Sequence, residues 1–229
     1  MGGYYDIGGS FLKKGKWIIW TLLLLLTIYF LHPMVLNKLF PIHYQEEILK
    51  YSRKYNIDPY LIAAIIKVES NYNPYAHSFK DAMGLMQIIP STGFWGAKEL
   101  EIEDFYLEEL YVVERNIEIG TWYLKKLHQQ FRGDVRLVLA AYNGGSGNVT
   151  KWLSDERYSS NGRDLDYIPF AETRNYVEKV LFYRNLYSRL NQFNTGKHSI
   201  HAADEFEVCL SAKITLYLNG HSRMTIFFL

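Results

Sequence analysis

Between residues 42 and 190 the apolar residues recur at helical spacing, broken by start and stop signals, and no strand-like alternation competes with them. Tyr44, Ile48, Leu49, Tyr51, Ser52 and Tyr55 mark a first helix, which Asn56-Ile57-Asp58 ends. Asp58 is placed to cap a second helix, and Pro59 suits its first position, where a missing N–H costs nothing. Leu61, Ile62, Ile65, Ile66 and Val68 give that helix a broad buried face, and Ser70-Asn71-Tyr72-Asn73-Pro74 stops it just after Glu69.

Further helices follow. Pro74 to Gly84 is turn-rich, and a short helix is expected after Pro90. Asn116 to Phe131 is amphipathic, with Ile117, Ile119, Leu124 and Leu127 as core candidates and Gly133 as its stop. Asp134 caps a helix over Val135–Tyr142, from which Asn143-Gly144-Gly145 offers a left-handed exit. Val149 and Trp152 belong to a short helix, Ser154 to Asp166 reads as a polar loop, and Glu172 to Leu190 forms the last helix. That last helix turns Val177, Val180, Leu181 and Leu186 inward. The expectation is an all-α domain over 42–190, preceded by one N-terminal transmembrane helix.

The N-terminal helix is inferred from Lys13, Lys14 and Lys16, which precede an uncharged run from Trp17 to Leu31. Fifteen residues fall short of the about 17–25 that a spanning helix wants. Met34, Val35 and Leu36 extend the run before Lys38, and the Trp and Tyr residues suit headgroup positions. Leu31 to Asn37 lacks the small-residue pattern of a cleavage site, so a retained anchor is preferred to a cleaved signal. Residues 1–16 are then a cytoplasmic segment, 17–36 the transmembrane anchor, and 42–190 a domain outside the membrane.

From Asn191 the character changes. Glu207–Leu210 and Lys213–Leu218 read as strands, with Asn219-Gly220 as a hairpin turn. His198, His201, Cys209 and His221 match no metal-ligand spacing closely, so no metal is expected there. The role of 191–229 is unknown. A net charge of +1 gives no electrostatic case for a nucleic-acid partner, and one cysteine excludes an intramolecular disulfide. No oligomeric state follows.

Glu69 is the candidate for chemistry. A helix ending beside it leaves unpaired carbonyls whose partial negative charge disfavours the carboxylate, and apolar surroundings push the same way. A carboxylic acid kept protonated near neutral pH is what a general acid for glycoside cleavage needs. Taken alone, Glu69 is more simply a solvated, inert glutamate at a helix end.

Four separated segments change that balance. They are Glu69-Ser70-Asn71-Tyr72-Asn73-Pro74, Gly84-Leu85-Met86-Gln87-Ile88-Ile89-Pro90, Ala140-Ala141-Tyr142-Asn143-Gly144-Gly145 and Ile168-Pro169-Phe170-Ala171-Glu172-Thr173-Arg174-Asn175-Tyr176-Val177. In this order they resemble the soluble lytic transglycosylase catalytic domain, which has a goose-lysozyme-like fold, across nearly all of 42–190. The resemblance implies cleavage of peptidoglycan glycan strands between N-acetylmuramic acid and N-acetylglucosamine, leaving a 1,6-anhydro end. It makes Glu69 the catalytic acid and then base. Ser78 matches a serine near the reacting sugar, and Gln87 a glutamine binding an N-acetyl group. Tyr142 matches a tyrosine pointing at the catalytic centre, with Asn143 in the same motif. Glu172 matches a second cleft glutamate, on the helix that carries Tyr176. Ile89 stands where many members have methionine, which alters an apolar sugar-contacting surface.

Each of these residues has a plainer reading. Gln87 fits a residue bonding the backbone of a turn, Tyr142 and Tyr176 fit core aromatics, Asn143-Gly144-Gly145 fits a helix cap, and Glu172 fits a first-turn charge. The mechanism implied needs no metal or cofactor. Ordinary glycosidases place a second carboxylate about 5–9.5 Å from the acid. No Asp or Glu lies within ten residues of Glu69, and Asp81 beyond them sits in the turn-rich stretch. The alternatives are a lysozyme-type hydrolase on the same fold and an inactive wall-binding module.

Overall fold

The computed structural model describes residues 20–27, 35–190 and 193. The chain divides into two compact units, Met1–Gln192 and Phe193–Leu229. Only Phe193 of the second is described, so the strands, hairpin turn and His/Cys group expected there lie outside the described residues.

The first unit is helical. In chain order come α1 (Gln45–Tyr55), α2 (Pro59–Ser70), α3 (Pro90–Glu99), a 3-10 turn (Leu107–Tyr111), α4 (Val113–Gln130), α5 (Val135–Gly144), α6 (Ser146–Leu153) and α7 (Ala171–Leu190). Among the described residues there is no strand, only isolated antiparallel bridges pairing His77 with Met83 and Met83 with Ile88.

Helix α2 is the central element. Leu61 to Ile66 are all buried, Ala63 and Ala64 included. A helix apolar all round must be enclosed all round. Val68, expected on the buried face, is only half-buried, because the helix is already emerging from its neighbours there. The Asp58 side chain accepts the Tyr60 N–H at 2.9 Å, as an N-cap does. The other Asp58 carboxylate oxygen accepts from Arg184 Nε at 2.6 Å, tying the start of α2 to α7, its most extensive packing partner. At the far end Asn71 and Tyr72 take positive φ (52° and 64°) and reverse the chain, and the Tyr72 hydroxyl donates back to the Ala63 carbonyl at 3.1 Å.

Around α2 the remaining helices pair off. Helix α1 packs on α4, α5 on α6 and α7, and α3 on α4. The core residues expected on α4 (Ile117, Ile119, Leu124 and Leu127) are buried, but the helix begins three residues before Asn116 and ends at Gln130. Gly133 follows at φ 79°, its N–H bonded to the His128 carbonyl. Asp134 caps α5 through the Leu137 N–H at 3.0 Å. The exit from α5 differs from the left-handed turn expected. Gly145 has φ 87° with ψ 133°, outside the left-handed helical region, and α6 starts directly after it. On α7, Val177 and Val180 face inward as expected, while Tyr176 and Tyr187 complete the buried stripe instead of Leu181 and Leu186. The polar stretch after α6 is organised by local bonds, with Asn161 Oδ1 accepting from the N–H groups of Arg163 and Asp164.

Among the described residues, no helix is long and apolar enough to cross a membrane. The expected 17–36 span is only partly described: residues 20–27 and 35–39 are helical, and 17–19 and 28–34 lie outside the described residues.

Candidate active site

Three helix ends and one loop bring the candidate residues into one region. The C-terminus of α2 carries Glu69, the last turn of α5 carries Tyr142 and Asn143, and the first turns of α7 carry Glu172 and Tyr176. The loop from Pro74 to Ile89 carries the rest.

That loop is shaped by its own backbone. Met83 and Ile88 exchange N–H···O bonds at 3.0 Å, Gly84 N–H reaches the Ala76 carbonyl at 2.9 Å, and Ser78 N–H reaches the Ala82 carbonyl at 2.9 Å. Gly84 sits at φ 74°, and a Cβ there would lie 2.1 Å from the Leu110 carbonyl oxygen, so only glycine fits. The buried Asn116 side chain holds the loop from below. Its amide nitrogen donates to the carbonyls of Met83 (2.9 Å) and Leu110 (2.7 Å), and its oxygen accepts the Met86 N–H at 2.7 Å. In the sequence Asn116 reads as the start of the helix. Its one available signal was an amide side chain next to an otherwise apolar stripe.

Gln87 lies at the turn with φ 48°. Its Nε2 donates to the carbonyls of Ala76 (3.1 Å) and Gly84 (3.0 Å), so the plainer reading of this residue describes its amide nitrogen. The oxygen of that amide is left for other work. Ser78 is placed differently: its Oγ accepts from the N–H groups of Lys80 (3.2 Å) and Ala82 (3.1 Å), which makes it a turn-former.

An open cavity of about 620 Å³ lies along this loop. Gln87, Ile89, Tyr142 and Asn143 line it, with Lys80, Asp81 and Tyr123, which sequence reasoning did not single out. Ser78, Glu69, Glu172 and Tyr176 are not on its wall. Ile89 presents an apolar surface 43% exposed. The Tyr123 and Tyr142 rings lie 5.6 Å apart, and the Tyr142 hydroxyl donates to the Met86 carbonyl at 2.8 Å. The Asn143 side-chain oxygen accepts from Thr173 Oγ1 at 2.8 Å, joining α5 to α7.

Glu69 has the electrostatics of an acid. Its carboxyl is pushed up to about 7, chiefly by burial and further by the negative charge of Glu172. The Tyr176 hydroxyl opposes the shift by facing the carboxyl, although the pair falls outside full hydrogen-bond geometry and that buried hydroxyl has no other partner among the described residues. Burial first, and the field of Glu69 second, also raise Tyr142 and Tyr176 well above the usual phenol range, so Glu69 acts electrostatically on a residue of the cavity wall. Of the two causes anticipated from sequence, the apolar surroundings are the leading one. At the helix end, the Ile66 carbonyl accepts from Ser70 Oγ and the Lys67 carbonyl from the Asn71 N–H.

An all-helical domain with a half-buried, high-pKa carboxylic acid near an open polar-aromatic cleft has the form of a lysozyme-like domain. Residues 46–164 match the family described as Transglycosylase SLT domain, and the chain belongs to that family. It is 39% identical over 158 residues to the soluble lytic murein transglycosylase of Salmonella typhimurium, covering 66% of this chain and 24% of that protein. To the membrane-bound lytic murein transglycosylase C of Cronobacter sakazakii it is 33% identical over 166 residues, covering 60% and 44%. The crystal structure of the 70 kDa soluble lytic transglycosylase of Escherichia coli superposes with a TM-score of 0.60 at 35% identity, over 66% of this chain and 25% of that one. A complex of the 70 kDa soluble lytic transglycosylase with bulgecin A gives the same score at 34% identity, over 67% and 25%. The chain thus spans about a quarter to under half the length of these relatives. Glu172 and Tyr176 lie beyond the residues matched to the family.

Proposed function

We propose that this chain is a peptidoglycan lytic transglycosylase, cleaving between N-acetylmuramic acid and N-acetylglucosamine and leaving a 1,6-anhydromuramoyl end. The observation that carries the proposal is the Glu69 carboxyl, raised to about 7 so that a substantial fraction keeps its proton at neutral pH, in a chain of the SLT family. Glu69 protonates the glycosidic oxygen as the bond breaks, while the substrate's own acetamide supports the oxocarbenium-like centre. The resulting carboxylate, destabilised by burial, takes the proton of the sugar's C6 hydroxyl, which attacks the anomeric carbon. One group serves as acid and base in turn. Bringing that hydroxyl to the anomeric carbon is a matter of orientation.

The cleft residues divide that task. With its amide nitrogen occupied by two carbonyls, Gln87 offers an acceptor to an N-acetyl N–H. Asn143, its oxygen occupied by Thr173, offers donors. Ile89 and Tyr142 supply apolar surface to a sugar ring, and Glu172 tunes Glu69 through space. Tyr176 steadies the ionised carboxylate in the second half of the reaction. Ser78 acts on the sugar only through the turn that it shapes.

The domain is 42–190, held at the outer face of the cell membrane by an anchor over 17–36, with 1–16 cytoplasmic. Relatives named as membrane-bound and as soluble both occur in the family, and the lysine-flanked apolar run favours the former arrangement. The test is the end-group chemistry of digested glycan, read by mass spectrometry for the unaltered protein and for Glu69→Gln. Anhydro ends that vanish in the variant are expected. Reducing ends carrying an added water would assign a lysozyme-type hydrolase instead, and glycan bound but uncut by the unaltered protein would assign a wall-binding module.

A further inference from the structure

One exposed aromatic face lies where the chain enters the domain. Residues 35–39 are helical, and Val35 (52%) and Leu39 (63%) are exposed. Phe40 follows, its ring 6.3 Å from that of Tyr183 on α7. Beside Tyr183 stands Phe182, 61% exposed and edge-on at 5.4 Å, and Lys67 Nζ lies over the Tyr183 ring at 5.9 Å. An open groove of about 570 Å³ here is lined by Lys67, Glu178, Lys179, Phe182 and Tyr183, so cations outnumber anions two to one. Exposed Phe182 and Lys179 beside half-buried Tyr183 and Lys67 are the residue types that settle in a bilayer's headgroup layer, rings at the apolar boundary and ammonium groups toward water and phosphate.

The tether makes the placement specific. Four residue steps separate Leu31, the end of the unbroken apolar run, from Val35. Even fully extended they reach at most roughly 14 Å. Whatever their path, the face that receives Phe40 cannot stand far from a membrane in which the run is embedded. For an exposed apolar surface at the foot of a short tether, the bilayer is the occupant held within reach.

We infer that the face formed by Leu39, Phe40, Lys179, Phe182 and Tyr183 seats on the headgroup layer of the membrane that carries the chain, fixing the orientation of the domain above the bilayer. This inference depends on the anchor reading of residues 17–36. The Tyr183–Phe182 side of α7 is then a lipid contact, and the domain does not tumble freely on its tether.

The test uses the full chain with Cys209→Ser, reconstituted in phosphatidylcholine and phosphatidylglycerol vesicles. A fluorescent thiol label is placed through Phe182→Cys or, as control, through Tyr106→Cys. Both positions are exposed (61% and 59%), so neither substitution opens the core, and circular dichroism verifies the fold. Tyr106 precedes the 3-10 turn, whose main packing partners are α3 and α4. Lipids with nitroxide headgroups should quench the label at 182 several-fold more than the label at 106. Equal quenching in chains that float with the vesicles would overturn the seated face while leaving the anchor intact. Chains that fail to float with the vesicles would overturn both.

Discussion

The Tyr142 hydroxyl donates to the main-chain carbonyl of Met86 across 56 residues of sequence, at 2.8 Å, linking the end of α5 to the loop that carries Gln87. Tyr142 therefore has two jobs: its ring lines the cleft and its hydroxyl fixes the height of the neighbouring glutamine. In Tyr142→Phe the ring stays and the carbonyl loses its donor. Leaving a largely enclosed acceptor unpaired costs about 1–2 kcal/mol, which urea unfolding would register. Glycan cleavage under conditions where the variant remains folded should fall at least about tenfold, because the loop then samples positions in which Gln87 misses the substrate. Unchanged stability together with unchanged cleavage would remove the linkage from the account.

The raised pKa of Glu69 sets the sign of two pH effects. As the general acid it must be protonated, so the rate of glycan cleavage should decline on the alkaline side as pH rises through about 7. Stability follows the same titration. Between the ordinary glutamate value of 4.5 and about 7, the folded carboxyl holds its proton more tightly than the unfolded one. Stability therefore falls as pH rises through that window and stays reduced above it. Glu69→Gln removes the penalty, and at pH 8 the inactive variant should be more stable than the unaltered protein, by on the order of 1–2 kcal/mol. At pH 4 the two should unfold nearly together. Thermal unfolding at both pH values measures this, and a variant less stable at pH 8 would mean that the ionised carboxylate is well solvated.

Glu172 is exposed in the first turn of α7, and its charge is one of the causes that hold Glu69 up. Neutralising it with Glu172→Gln should lower the Glu69 pKa and move the alkaline limb of the pH–rate profile to lower pH. Because Glu172 faces solvent, the displacement should shrink as salt is added, the Debye length falling from ~10 Å at 0.1 M to ~3 Å at 1 M. A profile displaced toward higher pH would contradict the electrostatic relation.

Helices with strong punctuation were legible from local chemistry. Asp58 before Pro59, Asp134 before Val135 and the run Leu61–Ile66 each announce an element whose bounds depend on a few neighbouring residues. The 3-10 turn at Leu107–Tyr111 was not, since its helical state is set by packing against α3 and α4. Motif order picked out Gln87, Ile89, Tyr142 and Asn143, which the fold brings to one cleft wall. Tyr123 escaped notice because nothing in an amphipathic helix distinguishes a tyrosine at the edge of a cleft from one at the edge of a core. Of the Glu69 shift, the sequence shows the direction and the share due to apolar surroundings, but not its extent. Sequence reveals a helix end, whereas burial and the approach of Glu172, 103 residues away, depend on tertiary packing.

Asn116 is the sharpest case of a residue whose importance appears only in three dimensions, and it yields a testable consequence. Its amide satisfies the carbonyls of Met83 and Leu110 and the N–H of Met86, all from a buried position, while Gly84 passes directly over it. Asn116→Ala would take this partner from the Met86 N–H and the Leu110 carbonyl, while the Met83 carbonyl keeps the Ile88 N–H, and would leave a small void. A loss of about 2–4 kcal/mol is expected, larger than for any exposed substitution on α4. Asn116→Asp keeps an acceptor for Met86 but turns a carboxylate toward two carbonyl oxygens, so it should be at least as damaging at neutral pH and recover partly in acid, where a protonated carboxyl can donate to one of them. Urea titrations at pH 4 and pH 7 would separate the two variants. If Asn116→Ala unfolded at the same midpoint as the unaltered protein, water would be replacing the amide, and the loop that carries Gln87 would owe its shape to its own backbone bonds alone.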